Sequence, residues 1–129
     1  MGIKKIFNLN PIVWLIQCQL KRIEVQHPSI KPPQVPYKDE YWVKSPEHTL
    51  KDGYANCVNK AILNYSCLAD AYKNDFIGIN YFQPNGVYHS EFAMYKDEKM
   101  LEIIDIDHEI EVVDFVGLFI TKEGIYHVF

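Results

Sequence analysis

The sequence predicts an α+β fold, and three observations lead there. Apolar residues recur at helical spacing in the first half of the chain, at residues 11–25 and 56–73. Short apolar runs separated by turn residues fill the second half, from residue 76 onward. Helices that come first and antiparallel strands that come later indicate segregated layers rather than a βαβ alternation.

The first helix is expected over residues 11–25. Asn10 supplies a cap and Pro11 fits the first turn, where its missing N–H costs nothing. Ile12, Leu15, Ile16, Gln19, Leu20 and Ile23 make the face that points inward. Then Pro28, Pro32, Pro33 and Pro36 fall within nine residues, which forbids a helix and favours extended chain. That stretch reads as an ordered strap between the N-terminal helix and the main body, with a protein-docking segment as its other use.

Residues 41–53, "YWVKSPEHTLKDG", read as a loop with one short helical turn. Ser45 is its N-cap, Pro46 its first residue, and Gly53 its stop. His48 stands where a capping box would place an acid or amide. The next helix starts at Asn56, a good cap, and runs to about residue 73. Val58, Ala61, Ile62, Tyr65, Leu68, Ala69 and Tyr72 carry its apolar spacing.

Strands are expected at residues 76–82, 87–95, 100–106, 110–120 and 125–129. The turns between them fall at Gln83–Gly86, at Lys96–Lys99 and at Gly124. All 129 residues suit one domain, with residues 1–40 as helix and strap and residues 41–129 as the core.

Composition narrows the function classes. Hydrophobic residues make up 48% of the chain, enough for one sizeable core and too many for a disordered one. The formal charge is −4, with acids and bases interspersed and no long basic run, so nucleic acid is not an expected partner. The apolar run "PIVWLI" is too short to span a bilayer, and Gln17, Gln19 and Lys21 follow it directly. Ile6 stands where the myristoylation pattern requires Ser or Thr. Membrane attachment is therefore not expected. Three cysteines without CxxC spacing argue against a disulfide framework and for a reducing, cytoplasmic setting.

Among Cys18, Cys57 and Cys67, only Cys57 falls in the first turn of an expected helix. The helix macrodipole and unsatisfied N–H groups favour a thiolate there. A histidine would take the thiol proton, and a carboxylate would orient that histidine. His89 lies in an expected strand, and a hairpin turned at residues 96–99 would bring Asp105 and Asp107 beside it. Strand register, which pattern alone does not set, decides between the two acids. The backbone N–H of Cys57 is a candidate oxyanion donor, with Trp42, Tyr54, Gln17 and Gln19 as further cleft candidates. Cys57, His89, Asp105 and Asp107 are zinc-ligand types but lack the paired short spacings of structural zinc sites, so neither metal nor cofactor is expected.

The segments "SPEHTLKDGYANCVNKAILNYSCL", "YHSEFAMY" and "LEIIDID" together resemble the transglutaminase-like core, a papain-related cysteine fold. In that family a P-x-x-T-L turn leads to a glycine and then to a nucleophilic cysteine that opens a helix. A histidine near the start of one strand and an aspartate on the next complete the triad. The resemblance implies that Cys57 is the nucleophile, His89 the base and Asp105 the orienting acid. It implies a nucleophile helix packed on an antiparallel sheet, and a peptide or protein amide as substrate. Hydrolysis and transamidation both remain open. The chain departs from the family pattern at Ala55, Val58, Asn59 and Glu91.

Overall fold

The structure, a computed structural model, describes residues 3–7, 11–23, 33–68, 76–82, 89–97, 100–103 and 117–128. Strand β1 (Ile3–Ile6) is followed by helices α1 (Pro11–Arg22), α2 (Pro46–Asp52) and α3 (Cys57–Leu68). Strands β2 (Phe76–Phe82), β3 (His89–Asp97), β4 (Met100–Ile103), β5 (Gly117–Ile120) and β6 (Ile125–Val128) complete the described elements. They form one antiparallel sheet in the order β1-β6-β5-β2-β3-β4. The α+β class follows directly from this arrangement.

The order of elements departs from the expected one at the N-terminus. A strand precedes the first helix, and it pairs with the last strand, from Ile3↔Val128 to Ile6↔Ile125. The two ends of the described chain thus lie side by side at one edge of the sheet. Its four residues, "IKKI", are too few to show a period, and their partner lies more than a hundred positions away.

Helix α1 ends at Arg22 rather than at residue 25, with Ile23 N–H donating to the Leu20 carbonyl at 3.3 Å in a tighter last turn. Its buried face is Val13, Ile16 and Leu20, continued by Ile23. Ile12 and Leu15, expected inside, are 47% and 43% exposed. Ile16, Leu20 and Ile23 lie inside as expected, and Val13 takes the place of Ile12 and Leu15 on the buried face.

Helix α2 has the expected ends. The Ser45 hydroxyl accepts from the His48 N–H at 3.2 Å, and Pro46 opens the helix. Gly53 closes it at φ +76°, and its N–H donates to the Thr49 carbonyl at 2.9 Å. That left-handed conformation suits glycine because a Cβ would crowd the following carbonyl.

Helices α1 and α3 share one face of the sheet: α1 packs on β5, and α3 packs on β2 and β3. The core between them holds Val13, Ile16, Leu20, Ala61, Ile62, Tyr65, Ile120 and Ile125. Each fully buried Ile or Leu contributes about 1.5–3 kcal/mol from apolar burial. The turn from β5 to β6 is closed by Thr121, whose hydroxyl accepts from the N–H groups of Glu123 and Gly124. Lys122 reaches across to cap α1, donating to the Ile23 carbonyl at 2.6 Å.

The β2–β3 register runs from Phe76↔Tyr95 to Phe82↔His89. The β3–β4 hairpin is tighter than expected, with Asp97↔Met100 as its last pair and a bulge between Tyr95 and Asp97. The expected continuation of the second helix beyond Leu68, and of the strands over residues 104–116, lies outside the described residues.

Candidate functional site

Cys57 is the first residue of α3, in the first turn where Asn56 as cap was expected to put it. Asn56 caps the helix: its Oδ1 accepts the Asn59 N–H at 2.9 Å, and its carbonyl accepts the Lys60 N–H at 2.9 Å. The cap is itself anchored. The Asn56 side-chain amide donates to the Glu40 carbonyl at 3.0 Å, and its backbone N–H donates to Glu40 Oε2 at 3.0 Å.

Asn59, fully buried, joins three backbone segments. Its Oδ1 accepts the Lys44 N–H at 2.8 Å. Its Nδ2 donates to Glu40 Oε2 at 2.7 Å and to the Trp42 carbonyl at 2.8 Å. Lys44, 4% exposed, lies against Glu40 at 2.8 Å and Asp52 at 2.9 Å. Its ammonium also donates to the Tyr54 carbonyl at 3.2 Å and sits 4.6 Å from the centre of the Tyr54 ring. A buried lysine is tolerated only with such partners.

The charges respond to this packing. Burial pushes the Glu40 carboxyl up, but the hydrogen bonds from Lys44, Asn59 and the Asn56 N–H outweigh it and hold the group below its usual range. Burial likewise pulls Lys44 down, and Glu40 and Asp52 more than offset it. The hydrogen bond from Lys44 lowers Asp52.

The strap meets α3 just before the thiol. Tyr37 and Ala55 form a parallel bridge, with the Lys38 N–H on the Ala55 carbonyl and the Ala55 N–H on the Pro36 carbonyl, both at 3.1 Å. The Tyr37 hydroxyl donates to Asp39 at 2.6 Å. That hydrogen bond, helped by burial and by the charges of Asp39 and Cys57, pushes Tyr37 up to about 12. Tyr37 and Cys57 are thus close enough to act on each other electrostatically. Lys38 lies over the other aromatic of this segment, 4.5 Å from the Tyr54 ring centre.

Cys18, Cys57 and Cys67 are all part-exposed thiols outside disulfides. His89 is the first residue of β3, the strand on which α3 packs. Its side chain, with Asp105 and Asp107, lies outside the described residues. The register nevertheless orders the rows of the sheet. Core residue Ile120 pairs with Ile79, and Ile79 pairs with Phe92. Ser90, two positions from 92 and 2% exposed, belongs to that row.

The other cleft candidates scatter. Trp42 is 75% exposed and contributes its carbonyl to Asn59. Tyr54 packs beneath the two lysines. Gln17, on α1, donates to the Thr121 carbonyl at 3.3 Å, and Gln19 is part-buried on the same helix. Gln17 instead lines a cleft of about 560 Å³ with Ile6, Phe7, Trp14 and the turn at Gly124, to which α3 contributes no residue. Sequence reasoning missed Glu40, Lys44, Asn59 and Tyr37. Glu40 and Lys44 stand four apart, but the pair suggests a helical contact and no helix forms there.

Among the described residues no group of three or more His, Cys, Asp or Glu is arranged to hold a metal ion, and no helix is long and apolar enough to cross a membrane. No family model, curated protein or solved structure matches this chain.

Proposed function

We propose that the chain is a cysteine hydrolase or acyltransferase of transglutaminase-like, papain-related architecture, acting on peptide or side-chain amide bonds. The observation that carries this reading is the position of Cys57, the first residue of a capped helix that packs on the strand beginning at His89. A helix N-terminus stabilises negative charge on a thiolate.

His89 takes the Cys57 proton, and the sulfur attacks the amide carbonyl. The tetrahedral oxyanion collapses, the C–N bond breaks, and His89 returns the proton to the leaving amine. The thioester then passes its acyl group to water or to a second amine, which regenerates the thiol. Asp105 orients the imidazole and stabilises its cationic form.

A second reading is favoured by the strap, which pairs with Ala55 and anchors Asn56 at the start of α3. In it the domain is a non-catalytic protein-interaction module in which the capped helix serves the fold and not thiol chemistry. Site-resolved alkylation with iodoacetamide at pH 6 separates the two. The enzyme reading expects Cys57 to react at least about tenfold faster than N-acetylcysteine, and expects His89→Ala to remove that advantage. A rate at or below that of N-acetylcysteine overturns it.

A further inference from the structure

The N-terminus of α3 already has an anion seated on it. Glu40 is outside the helix, yet its carboxylate accepts the N-cap N–H of Asn56 at 3.0 Å and the Asn59 amide at 2.7 Å, with Lys44 as counter-ion at 2.8 Å. The Glu40 and Lys44 side chains are 8% and 3% exposed. The same segment of strap pairs with Ala55, two residues before Cys57, and carries the Tyr37–Asp39 hydrogen bond.

We propose that residues 36–45 form a restraining wall of the thiol site. Glu40 is its positioning residue, and the strap carboxylates Glu40 and Asp39 hold back formation of the thiolate at Cys57.

Two effects act in the same direction. The Glu40 charge occupies the positive end of the helix, which is the feature that favours a thiolate. The strap it anchors is hydrogen-bonded to Ala55 and Asn56, the two residues that precede Cys57. Lys44 offsets part of the charge, but Asp52 shares that lysine at 2.9 Å, so one cation serves two carboxylates. Removing the Glu40 charge leaves the helix cap in place, because Asn56 still accepts from the N–H groups of Asn59 and Lys60. The expected result is therefore a more reactive thiol.

The test is site-resolved iodoacetamide alkylation of the full chain between pH 5 and pH 9, wild type against Glu40→Gln, with Cys18 and Cys67 as internal controls. The expected outcome is Cys57 labelling at neutral pH faster by about threefold or more, with a rate profile moved toward lower pH and the other two cysteines unchanged. Acceleration of all three together means general loosening and overturns the proposal, as does an unchanged Cys57. If Glu40→Gln does not fold, Asp39→Asn, an exposed change that keeps an acceptor for Tyr37, is read by the same criteria. The inference rests on Cys57 as the reacting thiol. The wild-type rate against N-acetylcysteine tests that reading, whereas the variant-to-wild-type ratio tests the wall.

Discussion

The side-chain carbonyl of Asn59 accepts the backbone N–H of Lys44 at 2.8 Å, across fifteen positions of sequence. Through this bond the third residue of α3 is attached to a segment with no regular structure of its own. Lys44 then gathers Glu40 and Asp52, so helix α3, the strap and the end of α2 share one polar junction. Asn59 makes four hydrogen bonds through backbone and side chain, and an apolar replacement can supply none of the side-chain ones.

Asn59→Ala is therefore expected to cost about 2–4 kcal/mol, measured as a fall in ΔG of urea unfolding. The loss exceeds that of an ordinary hydrogen bond because Glu40, the Lys44 N–H and the Trp42 carbonyl are each left short of a partner. Asn59→Asp adds a second carboxylate facing Glu40 and is expected to be worse. A loss below about 1 kcal/mol for Asn59→Ala would show that water enters and satisfies the junction.

The same junction sets the acid response. Glu40 and Asp52 are held below their ordinary values of 4.5 and 3.8. A depressed carboxylate contributes stability that is complete above its unfolded value and is lost as pH falls through its folded value. Urea midpoints are expected to hold from pH 7 to about pH 5, then to fall as the pH drops through and below these values. Lys44 has the opposite sign. It is raised above 10.5, so its contribution persists through neutral pH and disappears only as pH rises through its elevated value. Glu40→Gln should flatten part of the acid limb, and an unchanged slope would remove Glu40 from this account.

Local signals were the legible ones. Ser45, Pro46 and Gly53 bracket α2 because capping chemistry acts within three or four residues. Asn56 and Cys57 were legible for the same reason. The face of α1 was legible at Ile16, Leu20 and Ile23 but not near its start, where apolar residues point several ways and only packing against α3 and β5 selects Val13 over Ile12 and Leu15. Asn59 read as a departure from a family pattern. Its role depends on Glu40 and Trp42, nineteen and seventeen positions upstream, and no spacing rule links an asparagine to an acid that far away. Strand β1 failed for a similar reason, since two exposed lysines in four residues hide a strand whose partner is the other end of the chain.

The two ends of α2 give a clean additivity test. Ser45→Ala removes the hydroxyl that accepts from His48 and should cost about 0.5–2 kcal/mol. Gly53→Ala meets nothing within 4 Å, so its cost is the left-handed backbone alone, about 1 kcal/mol. The two substitutions act on different groups at opposite ends of α2, the Ser45 hydroxyl and the Gly53 backbone, so thermal unfolding of the double variant should show the sum to within about 0.5 kcal/mol. A clear shortfall would mean that α2 frays as a unit once either cap is lost.

Ser90 is the reverse case, a buried hydroxyl with no hydrogen-bond partner among the described residues. An unsatisfied buried hydroxyl carries its desolvation cost without return, so replacing it with a methyl group should not destabilise the fold. Ser90→Ala is expected to change the unfolding free energy by no more than about 0.5 kcal/mol, or to raise it. Ser90→Val adds bulk to the row shared with Ile79 and Ile120 and should cost about 1–3 kcal/mol if that row is tightly packed against α3. A loss above about 1 kcal/mol for Ser90→Ala would instead reveal a hydrogen bond at this position. Ser90 would then be a satisfied polar group of the row shared with Ile79 and Ile120, on the strand that packs against α3.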